Sequence, residues 1–248
     1  MTQIILRPVD KVEILTLQDN YIDITAMDNN AVITRATPLK DGEIRASILA
    51  EHGFSALVKT TAESKTHSLL FDFGYSENGA AQNAATLGVD MAEVEAVALS
   101  HGHSDHTGGM EKLTAMIGKG NIPFVAHPSV FKSPRYLKLG EEFKIYFPKL
   151  SRERVKQAGL SLIEAEKPCP LLDDTVLFLG EVPHETEFEK GWPIVHCQKE
   201  GKEEWDAIED DSSIVINLKD KGLVILSGCA HAGIINTVQY AMKVTGIE

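Results

Sequence analysis

The sequence has few of the residues that build disulfide frameworks or membrane spans. It contains only three cysteines, Cys169, Cys197 and Cys229, an odd number at wide spacings, so we do not expect a disulfide scaffold. No stretch reaches the roughly 18 apolar residues that a helix needs to cross a bilayer. The first residues contain no apolar run of the length that a signal peptide needs. We therefore expect a cytoplasmic protein.

Basic residues are also scarce. Lysine and arginine number 24 against 36 aspartates and glutamates, which gives a formal net charge of −12 at pH 7. An acidic surface repels nucleic-acid phosphates and anionic lipids, so we expect neither nucleic acid nor a membrane as the main partner. A small anionic substrate remains compatible with this charge, because a bound metal ion reverses the local sign.

Residue patterns predict one α/β domain over residues 1–248, with β-sheets packed face to face and helices outside. Residues 128–168 are a candidate insertion or lid. Strands are predicted at Val12–Leu17, Ala46–Leu49, Phe54–Lys59, Ser68–Phe71, Val94–Leu99, Thr175–Leu179, Ser213–Leu218 and Leu223–Leu226. One helix is predicted to end at Asn83–Leu87. Further helices are predicted at Met110–Ile117, in the stretch SRERVKQAG and at Ile234–Val244.

The densest group of potential metal ligands lies in LSHGHSDHTGGM, residues 99–110. It places His101, His103, Asp105 and His106 directly after a predicted strand. Residues two apart in an extended chain point to the same face, so His101 and His103 suit one ion. Catalytic zinc takes imidazole and carboxylate ligands and keeps one position for water. We interpret the stretch as a metal site rather than as a group of surface histidines.

This His-x-His-x-Asp-His pattern resembles the signature of the metallo-β-lactamase superfamily. Asp72, in LLFDFG, matches the strand-end aspartate that supports the metal loop in that superfamily. The resemblance implies an αββα sandwich of two mixed β-sheets flanked by helices. It also implies one or two divalent ions. Because His103 stands where redox diiron members carry glutamate, zinc is favoured, with manganese or iron as alternatives.

Two further stretches, AEHGFSALV (50–58) and KGLVILSGCAHAGIINTV (221–238), are similar to the branch that contains 7,8-dihydropterin-6-methyl-4-(β-D-ribofuranosyl)aminobenzene-5′-phosphate synthase. The resemblance implies that His231 contacts the metal or the substrate. Cys229 stands where many members have a metal-bridging aspartate. It is therefore either a bridging thiolate or a small buried residue, which is the usual role of a free cysteine.

Four weaker candidates have an alternative structural interpretation. Asp211, in EDDSSIVINL, is either a metal ligand or a solvated acid. His184 is either a surface residue or a substrate contact, since the branch often has a phosphate-binding arginine there. His52 is either structural or functional, with Glu51 as the carboxylate that would orient it.

Other residues of these types receive a structural interpretation. His67, His127 and His196 have no supporting context. Trp192 and Trp205 are candidates for a pocket wall or a dimer contact, with packing as the default. Members of the branch usually continue to a strand that ends in Gly-Gly-Phe-His, so we expect this domain to lack that strand and its metal ligand.

Three functions fit these features. The first is hydrolysis of an ester, amide or phosphoester by metal-activated water, with Asp105 as a catalytic residue. The second is a metal-dependent transferase that joins a reduced pterin to an aminobenzene ribose phosphate. The third is a non-catalytic metal-binding protein. A small-molecule substrate, phosphorylated or a pterin, is expected, and a homodimer is a candidate assembly.

Overall fold

The computed structural model describes residues 3–37, 39–44 and 46–247. The strands are β1 (Lys11–Gln18), β2 (Leu39–Lys40), β3 (Glu43–Ile44), β4 (Ser55–Ala62), β5 (Lys65–Phe71), β6 (Ala96–Ala98), β7 (Ile122–Ala126), β8 (Arg135–Lys138), β9 (Lys144–Tyr146), β10 (Leu160–Glu164), β11 (Cys169–Leu171), β12 (Val176–Phe178), β13 (Val195–Lys199), β14 (Lys202–Trp205), β15 (Ser213–Leu218) and β16 (Gly222–Ser227). The helices are α1 (Gly79–Thr86), α2 (Ser104–Thr107), α3 (Met110–Ile117), α4 (Arg152–Gln157) and α5 (Ile234–Thr245), with 3₁₀ turns at Met91–Glu93 and Pro128–Phe131.

Two sheets form the body of the molecule. The larger has the strand order β1-β4-β5-β6-β7-β10, with antiparallel pairs at the β1 end and parallel pairs from β5 to β10. The smaller has the order β11-β12-β15-β16. All three pairings between its strands are antiparallel, and Val9 adds one parallel bridge to Leu218 of β15. Its hairpins are joined by short turns, which only antiparallel pairs allow.

Three hydrophobic cores separate the layers. Alternate residues of a strand point to opposite faces, so Phe178 of β12 packs between the two sheets whereas Leu177 packs beneath the outer helix α5. The third core covers the other face of the six-stranded sheet with α1, α3 and α4. The order is therefore helix, sheet, sheet, helix, which confirms the expected αββα sandwich.

Helix α3 shows how the sequence builds one of these layers. Its buried residues, Met110, Leu113, Thr114 and Ile117, recur at the spacing of one helical face. The helix ends at Gly118, which has a φ of 68°. Glycine adopts this left-handed conformation without the steric penalty of a side chain. The predicted helix and the observed one have the same bounds.

The predicted strand at Ala46–Leu49 was wrong: residues 46–50 form no strand. The reason lies in a side chain from α1. Asn83 Oδ1 accepts a hydrogen bond from the backbone N–H of Leu49 at 2.7 Å, and Asn83 Nδ2 donates to the Leu49 carbonyl at 2.8 Å. These bonds satisfy the backbone groups that a neighbouring strand would otherwise pair.

Residues 128–168 contribute strands to two different sheets. β10 extends the six-stranded sheet beside β7. β8 and β9 instead join β13 and β14 in a separate sheet of order β14-β13-β8-β9, which we call the roof sheet because residues beside its strands border the cavity described below. Within the described residues, no helix is both long and apolar enough to cross a membrane.

Candidate metal centre

The histidine cluster lies at the carboxyl ends of the parallel strands β5, β6 and β7. The chain leaves β6 at Ala98, passes through His101 and His103, and enters α2 at Ser104. His103 precedes the helix in an extended conformation, with φ −74° and ψ 151°. The short strand and the helix start therefore turn the side chains of His101, His103 and His106 towards one point.

The imidazole rings of this loop meet a fourth, that of His231, from the loop between β16 and α5. The ring centroid of His101 is 4.5 Å from that of His103, 4.3 Å from that of His106 and 4.9 Å from that of His231. His231 and His103 are also 4.9 Å apart. The fold thus brings His231 to residues more than a hundred positions away in the sequence.

Asp105 and Cys229 complete the cluster on the side of His106. The Nε2 atom of His106 lies 3.2 Å from Cys229 Sγ and 3.4 Å from Asp105 Oδ2. Three sets of donor atoms each lie within 4.8 Å of one another: His101, Cys229 and His231; His101, His103 and Asp105; and Asp105, His106 and Cys229. Cys229 belongs to two of these sets, so its sulfur is shared between two groups of candidate ligands.

The donor atoms themselves favour a metal. Among the described residues, Nε2 of His101, His103 and His231 is buried and has no hydrogen-bond partner. Burial lowers the pKa of His103 to about 3 and that of His231 to about 4, so both rings are neutral at pH 7. Neutral imidazole is the form that binds metals. The cluster therefore fits a divalent ion, which would satisfy the unpartnered nitrogens.

Asp72 supports the histidine loop through hydrogen bonds to Ser100 and His106. Its Oδ1 accepts the backbone N–H of Ser100 at 2.7 Å, and its Oδ2 lies 2.7 Å from Ser100 Oγ and 2.6 Å from His106 Nδ1. Gly228 packs against this arrangement, because a Cβ atom there would lie 2.3 Å from Ser100 Oγ. Asp72 thus orients the ring of His106 so that Nε2 faces Cys229 and Asp105.

Opposing effects set the charges of His106 and Asp105, two of the candidate ligands. Burial is the largest influence on His106 and acts to lower its pKa, but the Asp72 charge and the contacts with Asp105, Asp72 and Cys229 together raise it. Burial is the largest influence on Asp105 and acts to raise its pKa, but the hydrogen bond to His106, the charge of that ring and weaker contacts together bring it down to about 2. Asp105 is therefore an ionised carboxylate at neutral pH, as a metal ligand must be.

Asp211 and Asp210 each hold a backbone segment of the site. Asp211 Oδ2 accepts the N–H of Ala232, next to His231, at 2.9 Å, and burial raises the pKa of Asp211 to about 7. Asp210 Oδ2 accepts the N–H of Gly102 at 2.8 Å, between two of the clustered histidines. Asp211 lies outside the three donor sets found in the described part of the chain.

The carboxylate that faces His52 is Asp105, not Glu51. His52 Nε2 lies 3.3 Å from Asp105 Oδ2. Glu51 instead accepts a hydrogen bond from the backbone N–H of Ser76 at 3.2 Å. His184 is exposed and does not line the cavity above the cluster.

A cavity of about 470 Å³ opens above these side chains. His103, Asp105, Cys229 and His231 form its floor, together with Ser104. Its walls are His52, Tyr75, Leu137, Phe147 and Trp192. This volume is within the range of small-molecule sites, and the cavity gives a substrate direct access to the candidate metal ligands.

A family model described as the metallo-beta-lactamase superfamily matches residues 51–196, more than half of the chain. The chain belongs to the metallo-β-lactamase superfamily. The match covers His101, His103, Asp105 and His106, whereas Cys229 and His231 lie beyond it. The superfamily usually binds divalent metals, and the donor cluster lies at the matched motif.

Two relatives from Methanocaldococcus jannaschii extend the similarity over most of the chain. One is 7,8-dihydropterin-6-methyl-4-(beta-D-ribofuranosyl)-aminobenzene-5′-phosphate synthase, 30% identical over 207 residues that cover 80% of this chain and 68% of the synthase. The other is an uncharacterised protein, 32% identical over 214 residues, 85% of this chain and 75% of that protein. These matches confirm the resemblance to the synthase that the flanking stretches indicated.

A solved structure shows the same fold. It is a crystal structure of a metal-dependent hydrolase of the beta-lactamase superfamily, with a TM-score of 0.67 and 21% sequence identity. The similarity covers 96% of this chain and 73% of that one.

Several residues around the superfamily motif were not found from the sequence. Arg135 is buried and donates to Asp210 from two nitrogens, at 2.5 and 3.0 Å, and to Asp206 at 2.5 Å. Phe147 and Tyr75 line the cavity. None of these residues lies in a motif, because their positions follow from the roof sheet and from a loop after β5. An arginine among apolar residues, as in SPRYLKL, was the single available signal for Arg135.

Proposed function

We propose that this protein is a zinc-dependent hydrolase that acts on an ester, amide or phosphoester of a small molecule bound in the cavity. The observation that carries the proposal is the convergence of His101, His103 and His231 with three buried, unpartnered Nε2 atoms below an open cavity. Structural zinc sites are usually closed by four protein ligands, often cysteines. An open, histidine-rich cluster at the floor of a cavity favours catalysis over a purely structural role.

The chain offers ligands for two ions. His101, His103 and His231 would hold the first, and Asp105 and His106 the second, with Cys229 Sγ within reach of both. Imidazole and thiolate donors favour zinc, with manganese or iron as alternatives. A divalent ion bound here would polarise a substrate oxygen and acidify a water molecule.

Asp105 is the residue that we propose to act on the reacting groups. Its Oδ2 atom lies between His106 Nε2, at 3.4 Å, and His52 Nε2, at 3.3 Å. From this position the carboxylate orients the attacking water or carries its proton towards the cavity mouth, where the His52 side chain is largely exposed. His101 and His106, which belong to the same cluster but do not line the cavity, are buried and keep bulk water from that side of it.

A second candidate is a transferase that joins a reduced pterin to an aminobenzene ribose phosphate. In that reaction pyrophosphate would leave the pterin and the aminobenzene would take its place. The similarity to the Methanocaldococcus jannaschii synthase, over 80% of this chain, favours this candidate. The three widely spaced cysteines and the net charge of −12 support a cytoplasmic enzyme with a small-molecule substrate in either case.

The test compares zinc-, manganese- and iron-loaded protein on ester, amide and phosphoester substrates, and on the two pterin-reaction substrates together. Hydrolysis of single substrates supports the hydrolase, and a condensed pterin product supports the transferase. His103→Ala should abolish metal loading and activity together, whereas His196→Gln, in the roof sheet, should preserve both. Activity of a metal-free His103→Ala protein would contradict the proposal. Tight metal binding without turnover would instead support the non-catalytic function.

A further inference from the structure

The cavity above the candidate metal centre has an aromatic wall that the metal chemistry does not explain. Trp192 and Phe147, which lie beside strands of the roof sheet, and Tyr75 and His52, which lie in loops outside that sheet, all line it. We propose that these walls form a slot for a flat aromatic ring of the substrate, with the reacting group of the substrate directed at the floor. The part that concerns the reacting group rests on the function proposed above.

Both roof-side rings are held in fixed orientations. The ring of Trp192 lies nearly parallel to that of His231, at 8° and a centroid distance of 5.6 Å. Phe147 lies at 18° to His103, with centroids 4.5 Å apart. The rings therefore pack on two floor imidazoles while they border the cavity. A wall held in place in this way is pre-organised, so a ligand does not have to order it on binding.

The loop that carries Trp192 is itself tied to the roof sheet. Trp205, at the end of β14, donates its Nε1–H to the carbonyl oxygen of Trp192 at 3.1 Å. Outside the roof sheet, the ring of Tyr75 meets His52 edge to face, with centroids 6.1 Å apart. Both pairs of lining rings thus have a defined orientation.

The chemistry of the walls selects the class of ligand. Within the described ranges, neither lysine nor arginine lines the cavity, so the walls provide no cation for an anionic group. Ring faces and edges interact with other rings by geometry-dependent contacts that a saturated group of the same size cannot make. The ligand would therefore place a planar aromatic ring against the aromatic walls. Its anionic or polar group would lie at the floor, beside the candidate metal ligands.

The test uses a matched pair of probes, phenylphosphonate and cyclohexylphosphonate, titrated by calorimetry into the zinc-loaded protein. At a pH where both phosphonates are fully ionised the headgroup is the same, so its interaction with the floor cancels in the ratio of dissociation constants. We expect the phenyl probe to bind about fivefold more tightly, in line with the strength of aromatic pairs. Trp192→Leu and Phe147→Leu should each bring this ratio towards one, and Trp192→Phe should preserve most of it.

Phe188→Leu is the control, because Phe188 lies in the same loop as Trp192 but is 72% exposed and does not line the cavity. It should leave the ratio unchanged. Zinc content and circular dichroism, measured for every variant, show that the fold and the metal remain. Equal affinity for the two probes in the parent protein, or no binding of either, overturns the slot. So does a ratio that Trp192→Leu and Phe147→Leu both leave intact.

These outcomes are independent of the proposed reaction. A clear preference for the phenyl probe in a protein that turns over no substrate would sustain the slot and contradict the enzyme. Hydrolysis by a protein that binds both probes equally would sustain the enzyme and contradict the slot.

Discussion

The Nδ1 atom of His106 lies 2.6 Å from Oδ2 of Asp72, a carboxylate with no exposed surface at the end of β5. This contact determines which nitrogen of His106 faces the cluster. It also connects the ring to the backbone of Ser100, which the same carboxylate holds at 2.7 Å. A carboxylate behind a ligand histidine fixes the ring orientation and raises its basicity. Asp72 should therefore control metal affinity without itself touching the ion.

Asp72→Asn should weaken metal binding by about 10- to 100-fold, because the amide removes the charge that orients His106. Competition with a chelator of known affinity measures the change. Asp220→Asn is a matched control: both aspartates have a positive φ, 60° and 59°, but Asp220 lies exposed in the turn between β15 and β16. Unchanged affinity in Asp72→Asn would show that the contact has no part in metal binding.

Asp210→Asn should destabilise the protein by about 3 kcal/mol, because it leaves the buried Arg135 guanidinium with one carboxylate partner fewer. Denaturant unfolding of the metal-free protein measures the loss. The same substitution at Asp173, which forms an exposed ion pair with Lys65, should cost much less, because solvent screens that pair. Equal losses in the two variants would contradict a special role for the buried pair.

Glu203 should make the roof sheet sensitive to acid. Hydrogen bonds from Lys138, Lys144 and Tyr136, that of Lys138 being the strongest, lower the pKa of Glu203 to about 2 from an ordinary value of 4.5. The folded protein therefore binds fewer protons than the unfolded chain between these values. The stabilisation is fully present above pH 4.5 and is lost as the pH falls through about 2.

Glu203→Gln tests this pH dependence. At pH 7 the variant should melt at a lower temperature than the parent protein, and the difference should shrink steadily as the pH is lowered from about 5 towards 2. Glu200→Gln, in the turn that joins β13 and β14, should melt like the parent at every pH. A difference between Glu203→Gln and the parent that stays constant down to pH 2 would contradict the assignment.

The sequence predicted the layers and the motif loop because both depend on local patterns. Ser213–Leu218 has apolar residues at four of its six positions and forms a strand with the predicted bounds. Arg135 and Phe147 could not be found in this way, because their partners are brought to them by the separate roof sheet. Ala46–Leu49 is mostly apolar and was predicted as a strand, yet the side chain of Asn83 takes the backbone hydrogen bonds of Leu49. No local pattern encodes that long-range competition.

Cys229 is the ligand candidate whose chemistry is easiest to observe, because only a thiolate gives a sulfur-to-metal charge-transfer band when cobalt(II) replaces zinc. Its sulfur lies 3.2 Å from His106 Nε2, so we expect the cobalt protein to show this band in the near ultraviolet. Cys229→Ser should abolish it. Cys169→Ser should retain it, since burial raises the pKa of the Cys169 thiol and Cys169 lies in β11, outside the donor sets of the described residues. A band that survives in Cys229→Ser, or a parent protein that binds cobalt without one, would show that Cys229 is not a ligand. Asp105, His106 and the three other histidines would then have to hold the ions alone.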